Sequence, residues 1–95
     1  KWSVSFQSRL GRTKWIEPYT DRVLPELARL GVKDVVVVCP SFVSDCLETL
    51  EEIGIRAVDL FRNSGGSTLR LVPSLNSEPD WADAVAELAK TGPFR

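Results

Sequence analysis

Asp34-Val35-Val36-Val37-Val38-Cys39 is an almost continuous β-branched run, bounded by Gly31 and Pro40. A short run that is apolar on both faces is typical of a strand inside a parallel sheet that helices cover. We therefore predict that this run is the central strand of an α/β domain, and that neighbouring segments supply the covering helices.

Upstream of the central strand, the chain predicts one more strand and one helix. Residues 3–8 alternate apolar and polar side chains with period two, which indicates a short strand. A basic loop over residues 9–18 follows. Thr20 is then expected to cap a helix over residues 21–30, which Gly31 ends.

Downstream of the central strand, the chain predicts a long helix. Asp45 and Glu48 have the spacing of a capping box at its start, and residues 63–66 end it. The apolar stripe expected along this helix is Leu47, Leu50, Gly54, Ala57, Val58 and Phe61.

The last third of the chain completes the pattern. Residues 69–72 indicate a third strand, and Ser77 is expected to cap a helix from residue 78 to about residue 90. The order is βαβαβα, which predicts an α/β fold with an open parallel sheet and flanking helices.

Composition narrows the function classes. The 95 residues allow one small domain, and a net charge of −1 argues against nucleic acid as a partner. Gly-rich phosphate-binding sequences are absent, and without His the chain cannot build a His-based triad or a typical His metal site. Apolar runs stay far below the ~20 residues of a membrane-spanning helix, so we expect a soluble or peripheral protein. The only cysteines, Cys39 and Cys46, favour a reducing, cytosolic setting.

Ligands of open parallel sheets bind beyond the carboxyl ends of the strands, which directs attention to residues 7–15 and 40–52. The second segment concentrates the acids Asp45, Glu48 and Glu52 at a helix start. One interpretation is helix capping with a solvated face. The other is a site for a hard divalent cation or for proton transfer, which would relieve the repulsion between Glu48 and Glu52.

The first segment places Trp15 between Arg12 and Lys14, downstream of Gln7 and Ser8. This arrangement suits either a loop anchor or a planar anionic ligand. Two cysteine interpretations are also open, because the Cys46 thiol could be a ligand or a small packed side chain.

Four blocks of the chain, taken in order, resemble the C-terminal part of ferrochelatases. They are SFQSRLG at residues 5–11, WIEPYT at residues 15–20, CPSFVSDCLETLEEI at residues 39–53 and VPSLN at residues 72–76. The resemblance extends from about Ser3 to Leu88. Many relatives have His at the position of Cys46. The form with Cys at this position resembles the enzymes of Gram-negative bacteria.

The resemblance implies an enzyme that inserts ferrous iron into protoporphyrin IX, the last step of haem synthesis, in a cleft between two similar α/β halves. Residues 1–95 would be most of the second half, with residues 77–95 as its terminal helix and tail. The family's catalytic His would lie upstream, so this fragment alone is expected to be inactive and to need the N-terminal half as its partner. No resident cofactor is expected, and no iron–sulfur cluster within this segment.

The resemblance also assigns roles to individual residues. Glu48 would be the catalytic acid that takes part in proton removal or metal passage, with its pKa raised so that it can pass a proton along Glu52. The residues expected to bind metal are Glu48, Glu52 and Asp45; those expected to line the porphyrin pocket are Gln7, Ser8, Trp15 and Phe42; the role of Cys46 is left open.

Two alternatives and three further expectations complete the interpretation. The chain could instead be a non-catalytic α/β domain that binds a ligand or a partner, or a chelatase for cobalt or nickel. A cytoplasmic location is implied, and peripheral contact with the inner membrane is allowed. The isolated chain is expected to self-associate, either through the helix that carries Trp81, Val85 and Leu88 or through the face of the cleft.

Overall fold

The computed structural model describes residues 1–92. Helix α1 spans Thr20–Arg29 and strand β1 spans Asp34–Val37. Helix α2 begins as a π-helix over Glu48–Ala57 and continues as an α-helix over Val58–Asn63. Strand β2 spans Thr68–Leu71, and helix α3 spans Pro79–Thr91.

The two strands form a parallel sheet, in register from Asp34 opposite Thr68 to Val37 opposite Leu71. Helix α2 is the crossover between them, as parallel pairing requires. The predicted α/β class with a parallel sheet and helices is therefore confirmed.

Only one face of this sheet is covered within the described residues. The side chains of Val35 and Val37 pack against the core, whereas Val36 is 64% exposed and Val38 is 61% exposed. The expectation of cover on both faces is not met by residues 1–92.

The predicted first strand over residues 3–8 is wrong for the described residues. Phe6 makes one parallel bridge to Tyr19, in which the Phe6 N–H donates to the Pro18 carbonyl at 2.8 Å and the Thr20 N–H to the Phe6 carbonyl at 2.9 Å. The alternating pattern is present in the sequence. Within residues 1–92, however, this segment pairs with Tyr19 alone and not with a neighbouring strand.

The three predicted helix caps are also wrong. The N-cap residues are Tyr19, Leu47 and Glu78, and none makes a side-chain capping bond. The Thr20 hydroxyl bonds the Ser5 hydroxyl at 2.8 Å, so this side chain serves a contact between segments rather than its own helix end.

The predicted apolar stripe of α2 is wrong at its start, because Leu47 is 71% exposed and Leu50 is 56% exposed. A π-helix closes hydrogen bonds from residue i to i+5 and so holds more residues in each turn than an α-helix. Every fourth residue then returns to the same face. The buried members of that face are Thr49, Ile53, Ala57 and Phe61.

The core lies between α1, α2 and the covered face of the sheet. Its buried side chains are Leu24, Ala28, Ile53, Ala57, Phe61 and Leu69. Helix α3 contributes no buried residue to it, and Val85 and Leu88 are 44% and 39% exposed. Residues 93–95 of the predicted terminal tail lie outside the described residues.

No helix within residues 1–92 combines the length and the apolar character needed to cross a membrane.

Candidate functional site

The site is built around the carboxylate of Glu52, in the π-helical part of α2. One oxygen accepts the Ser8 backbone N–H at 2.8 Å. The other accepts the Ser8 hydroxyl at 2.6 Å and the Gln7 side-chain amide at 3.2 Å. Ser8 has a φ of 61°, a left-handed conformation in which non-glycine residues are uncommon. In this conformation, the backbone N–H and the hydroxyl of Ser8 both bond the carboxylate of Glu52.

These contacts decide the charge of Glu52. Partial burial opposes ionisation, but the hydrogen bonds from Ser8 and Gln7, together with the charge of Arg56, outweigh it and hold the pKa of Glu52 below its ordinary value. Glu52 is therefore an anion at neutral pH. A carboxylate held in its ionised form suits attraction of a cation. The expectation that Glu48 passes a proton along Glu52 stays a prediction.

Gln7 connects three parts of the chain through its side-chain amide. Besides Glu52, its NH₂ group donates to the Glu48 backbone carbonyl at 2.7 Å, and its oxygen lies 3.4 Å from the Cys39 thiol. Burial, followed by the charges of neighbouring acidic groups, raises the pKa of Cys39, so its thiol keeps the proton that it donates. Gln7 thus fixes the segment after Phe6 against α2, and its predicted contact with a porphyrin stays a prediction.

Glu48 opens the π-helix and is half-buried. Its side chain and that of Glu52 line one cavity of about 370 Å³ on the surface of α2. The lining residues are Ser8, Arg9, Leu10, Asp21, Leu47, Glu48, Glu51, Glu52 and Arg56. The structure therefore brings together three predicted residues, Ser8, Glu48 and Glu52, at one open depression of mixed charge.

Two arginines of this cavity were not singled out in the sequence. Arg56 pairs with Glu51 at 2.8 Å, and Arg9 pairs with Asp21 at 3.4 Å while stacking over the Tyr19 ring at 4.3 Å. The signal for the first pair is the five-residue spacing, which faces one side of a π-helix but not of an α-helix.

Asp45 belongs to a separate cluster of hydrogen-bonded residues, just before the N-terminus of α2. Its carboxylate accepts hydrogen bonds from the Asn76 side chain at 2.9 Å, the Thr49 hydroxyl at 3.0 Å and the Ser74 backbone at 3.3 Å. The bond from Asn76 is the largest cause of a pKa for Asp45 below its ordinary value. The capping box predicted from its spacing to Glu48 is wrong, because this carboxylate is occupied by those partners.

The remaining predicted residues lie around the site without lining the cavity. The Trp15 indole N–H donates to the Gln7 backbone carbonyl at 3.1 Å, a contact that suits a loop anchor. The predicted contact of Trp15 with a porphyrin stays a prediction. Phe42 is half-buried in the turn after β1, where its N–H donates to the Cys39 carbonyl at 3.1 Å. The backbone of Cys46 bonds the Thr49 hydroxyl, and the role of its thiol stays open.

Within residues 1–92, no three His, Cys, Asp or Glu side chains are grouped closely enough to hold a metal ion. Glu48, Glu52 and Asp45 therefore do not form a chelating set by themselves. Asp45 and Glu52 lie on opposite sides of Glu48 in the chain, and their carboxylate oxygens accept hydrogen bonds from different partners. A metal contact made by these acids would therefore involve at most two of them, together with ligands of another kind or from elsewhere in the protein.

Comparison with known proteins gives one family. A family model described as ferrochelatase matches residues 1–92. The chain is 62% identical over 94 residues to a ferrochelatase of Pseudomonas fluorescens, which covers 99% of the chain and 28% of that protein. It is 61% identical over 90 residues to a ferrochelatase of Coxiella burnetii, covering 95% of the chain and 25% of that protein.

A third relative, a ferrochelatase of Pseudomonas syringae pv. tomato, is 59% identical over 94 residues. The chain spans about a quarter of the length of the curated relatives it matches. Since the family model matches almost every residue of the chain, the chain belongs to the ferrochelatase family.

Proposed function

We propose that this chain is part of an enzyme that inserts ferrous iron into protoporphyrin IX to form protohaem. The observation that carries the proposal is the family match over residues 1–92, at a level near 60% identity to relatives named ferrochelatases. It is supported by the mixed-charge cavity of α2, which Glu48 and Glu52 both line.

Metal insertion must remove two protons from the pyrrole nitrogens as Fe²⁺ takes their place. We assign the role of proton acceptor to Glu48, whose side chain lines the open cavity while Gln7 holds its backbone carbonyl. Glu52, kept anionic by Ser8 and Gln7, contributes negative charge next to it. A fixed anion there attracts a divalent cation.

The porphyrin contacts are proposed for Gln7, Ser8, Trp15 and Phe42, which lie in the loops before α1 and after β1. Trp15 is fixed at its indole N–H by the Gln7 carbonyl, so its ring could pack against a macrocycle with little further loss of side-chain freedom. The opposite wall of the cleft, including a catalytic His, is proposed to come from another part of the full-length protein. The chain itself contains no His.

We further propose that the enzyme works in the cytoplasm, with peripheral contact to the inner membrane, and needs no resident cofactor. The second of two similar halves is the proposed place of this chain in the whole protein. The exposed face of β1 and the unburied helix α3 support that placement, because both offer apolar surface to further structure.

The test compares the full-length protein with the 95-residue chain in anaerobic assays of ferrous iron insertion. We expect turnover by the full-length protein and none above a protein-free blank by the chain alone. A full-length protein that binds protoporphyrin IX without inserting metal would instead favour a non-catalytic binding domain. Turnover with cobalt or nickel but not iron would change the assigned substrate.

A further inference from the structure

Asn76, in the loop between β2 and α3, makes a two-way contact with Asp45. Its side-chain oxygen accepts the Asp45 backbone N–H at 2.8 Å, and its NH₂ group donates to the Asp45 carboxylate at 2.9 Å. Its own backbone N–H donates to the Val43 carbonyl at 2.8 Å. One side chain thus fastens the loop after β2 to the loop after β1.

The contact continues into the first turn of α2. The other oxygen of Asp45 accepts the Thr49 hydroxyl at 3.0 Å, and that hydroxyl oxygen in turn accepts the Cys46 backbone N–H at 3.0 Å. Thr49 is fully buried and directly follows Glu48. The hydrogen bonds therefore lead from an exposed loop residue to the backbone on which Glu48 is carried.

From this geometry we infer that Asn76 is a positioning residue for Glu48: through Asp45 and Thr49 it sets the direction in which the first π-helical turn presents the Glu48 side chain. The inference rests on the proposed function, since it assigns the reacting carboxylate that is being positioned. Asn76 itself touches neither Glu48 nor the cavity that Glu48 lines.

If Asn76 had a purely structural role, its replacement would act through the stability of the global fold. Asn76 is exposed and lies outside the buried core, so its side chain contributes little apolar burial to the global fold. Its φ of 52° is left-handed, which glycine adopts readily and alanine does not. Asn76→Gly therefore keeps the turn and removes only the side-chain bonds, whereas Asn76→Ala disturbs both.

The experiment measures both variants in the full-length protein, with Asn63→Ala as the matched control. Asn63 is exposed at the end of α2, away from the Asp45 contacts. We expect Asn76→Gly and Asn76→Ala each to lower kcat roughly tenfold, because small misplacements of a reacting group are costly. The KM for protoporphyrin IX should stay within about twofold, since the porphyrin contacts are left in place. Hydrogen exchange over residues 45–50 should become faster in both variants, and Asn63→Ala should match the wild type.

Several results would overturn the inference. A wild-type kcat in Asn76→Gly, with only Asn76→Ala impaired, would show that the turn matters and the side chain does not. A raised KM with an unchanged kcat would place the effect in binding. Absence of turnover in the wild-type protein would refute the proposed function instead, and then unchanged exchange over residues 45–50 in Asn76→Gly would refute the contact as well.

Discussion

Replacing Glu52 by Gln tests whether this carboxylate is held as an anion by residues 7 and 8. Wild-type Glu52 accepts three hydrogen bonds, two from Ser8 and one from Gln7. A glutamine keeps one acceptor oxygen, so its NH₂ group must face the Ser8 hydroxyl and the Gln7 amide. The hydroxyl can reverse its bond, but the Gln7 amide loses this acceptor.

The expected cost follows from those contacts. A hydrogen bond to a charged acceptor contributes ~1.5–3 kcal/mol and a neutral one ~0.5–1.5 kcal/mol. Two bonds weakened and one lost, discounted for the partial solvent exposure of Glu52, give a loss of about 2 kcal/mol in the free energy of unfolding near pH 7.

The pH dependence has a definite sign. The pKa of Glu52 is lowered in the folded protein from an ordinary value of 4.5, so its stabilisation is complete above that value. It is lost as the pH falls through the lower, folded-state pKa. The difference between wild type and Glu52→Gln should therefore be constant from about pH 7 to about pH 5.5 and shrink under stronger acid.

Urea-induced unfolding of the full-length protein at a series of pH values measures this difference. Glu26→Gln is the control, because Glu26 is exposed on α1 and its neutralisation should change the stability by less than about 0.5 kcal/mol. Equal stability of Glu52→Gln and wild type near neutral pH would refute the reasoning. So would a loss that persists unchanged below the folded-state pKa.

Two other changes test the contacts around α2 and the surface of α3. Thr49→Val should cost about 2 kcal/mol in the free energy of unfolding, because it removes a hydroxyl at a fully buried position and leaves the Cys46 N–H without its 3.0 Å partner. Thr91→Val, at an exposed hydroxyl, should cost less than about 0.5 kcal/mol, and equal losses would contradict this account. The isolated chain should self-associate in sedimentation experiments through the exposed Val85 and Leu88, and replacing both by Lys should shift it towards monomer; a chain that is already monomeric at high concentration would contradict the expectation.

The sequence predicted the elements whose signals are local. The β-branched run around Val36 became β1, and the helix expected from residue 78 to about residue 90 is α3 at Pro79–Thr91. Of the residues that were predicted to form a site after β1, Glu48 and Glu52 line the same cavity. Each of these depends on periodicity or strand order, which a single sequence displays directly.

The errors arise where distant residues override a local pattern. The spacing of Asp45 and Glu48 suggested a cap, but Asn76, 31 positions away, takes the Asp45 carboxylate. The apolar stripe was drawn for an α-helix, and the π-helical turn displaced Leu50 to the surface. Ser8 and Glu52 are separated by 44 positions, so their contact could not be found from spacing alone.

The role of Glu48 is tested most directly by anaerobic insertion of ferrous iron into protoporphyrin IX, comparing the full-length wild type with Glu48→Gln. The substitution keeps the size of the side chain and leaves the backbone carbonyl that Gln7 holds at 2.7 Å, so folding should be preserved. Because it removes the proposed proton acceptor, we expect kcat to fall by ~10²-fold or more, while Glu26→Gln retains wild-type turnover. A kcat for Glu48→Gln within about twofold of wild type would contradict the account and leave Glu48 as a solvated residue at a helix start.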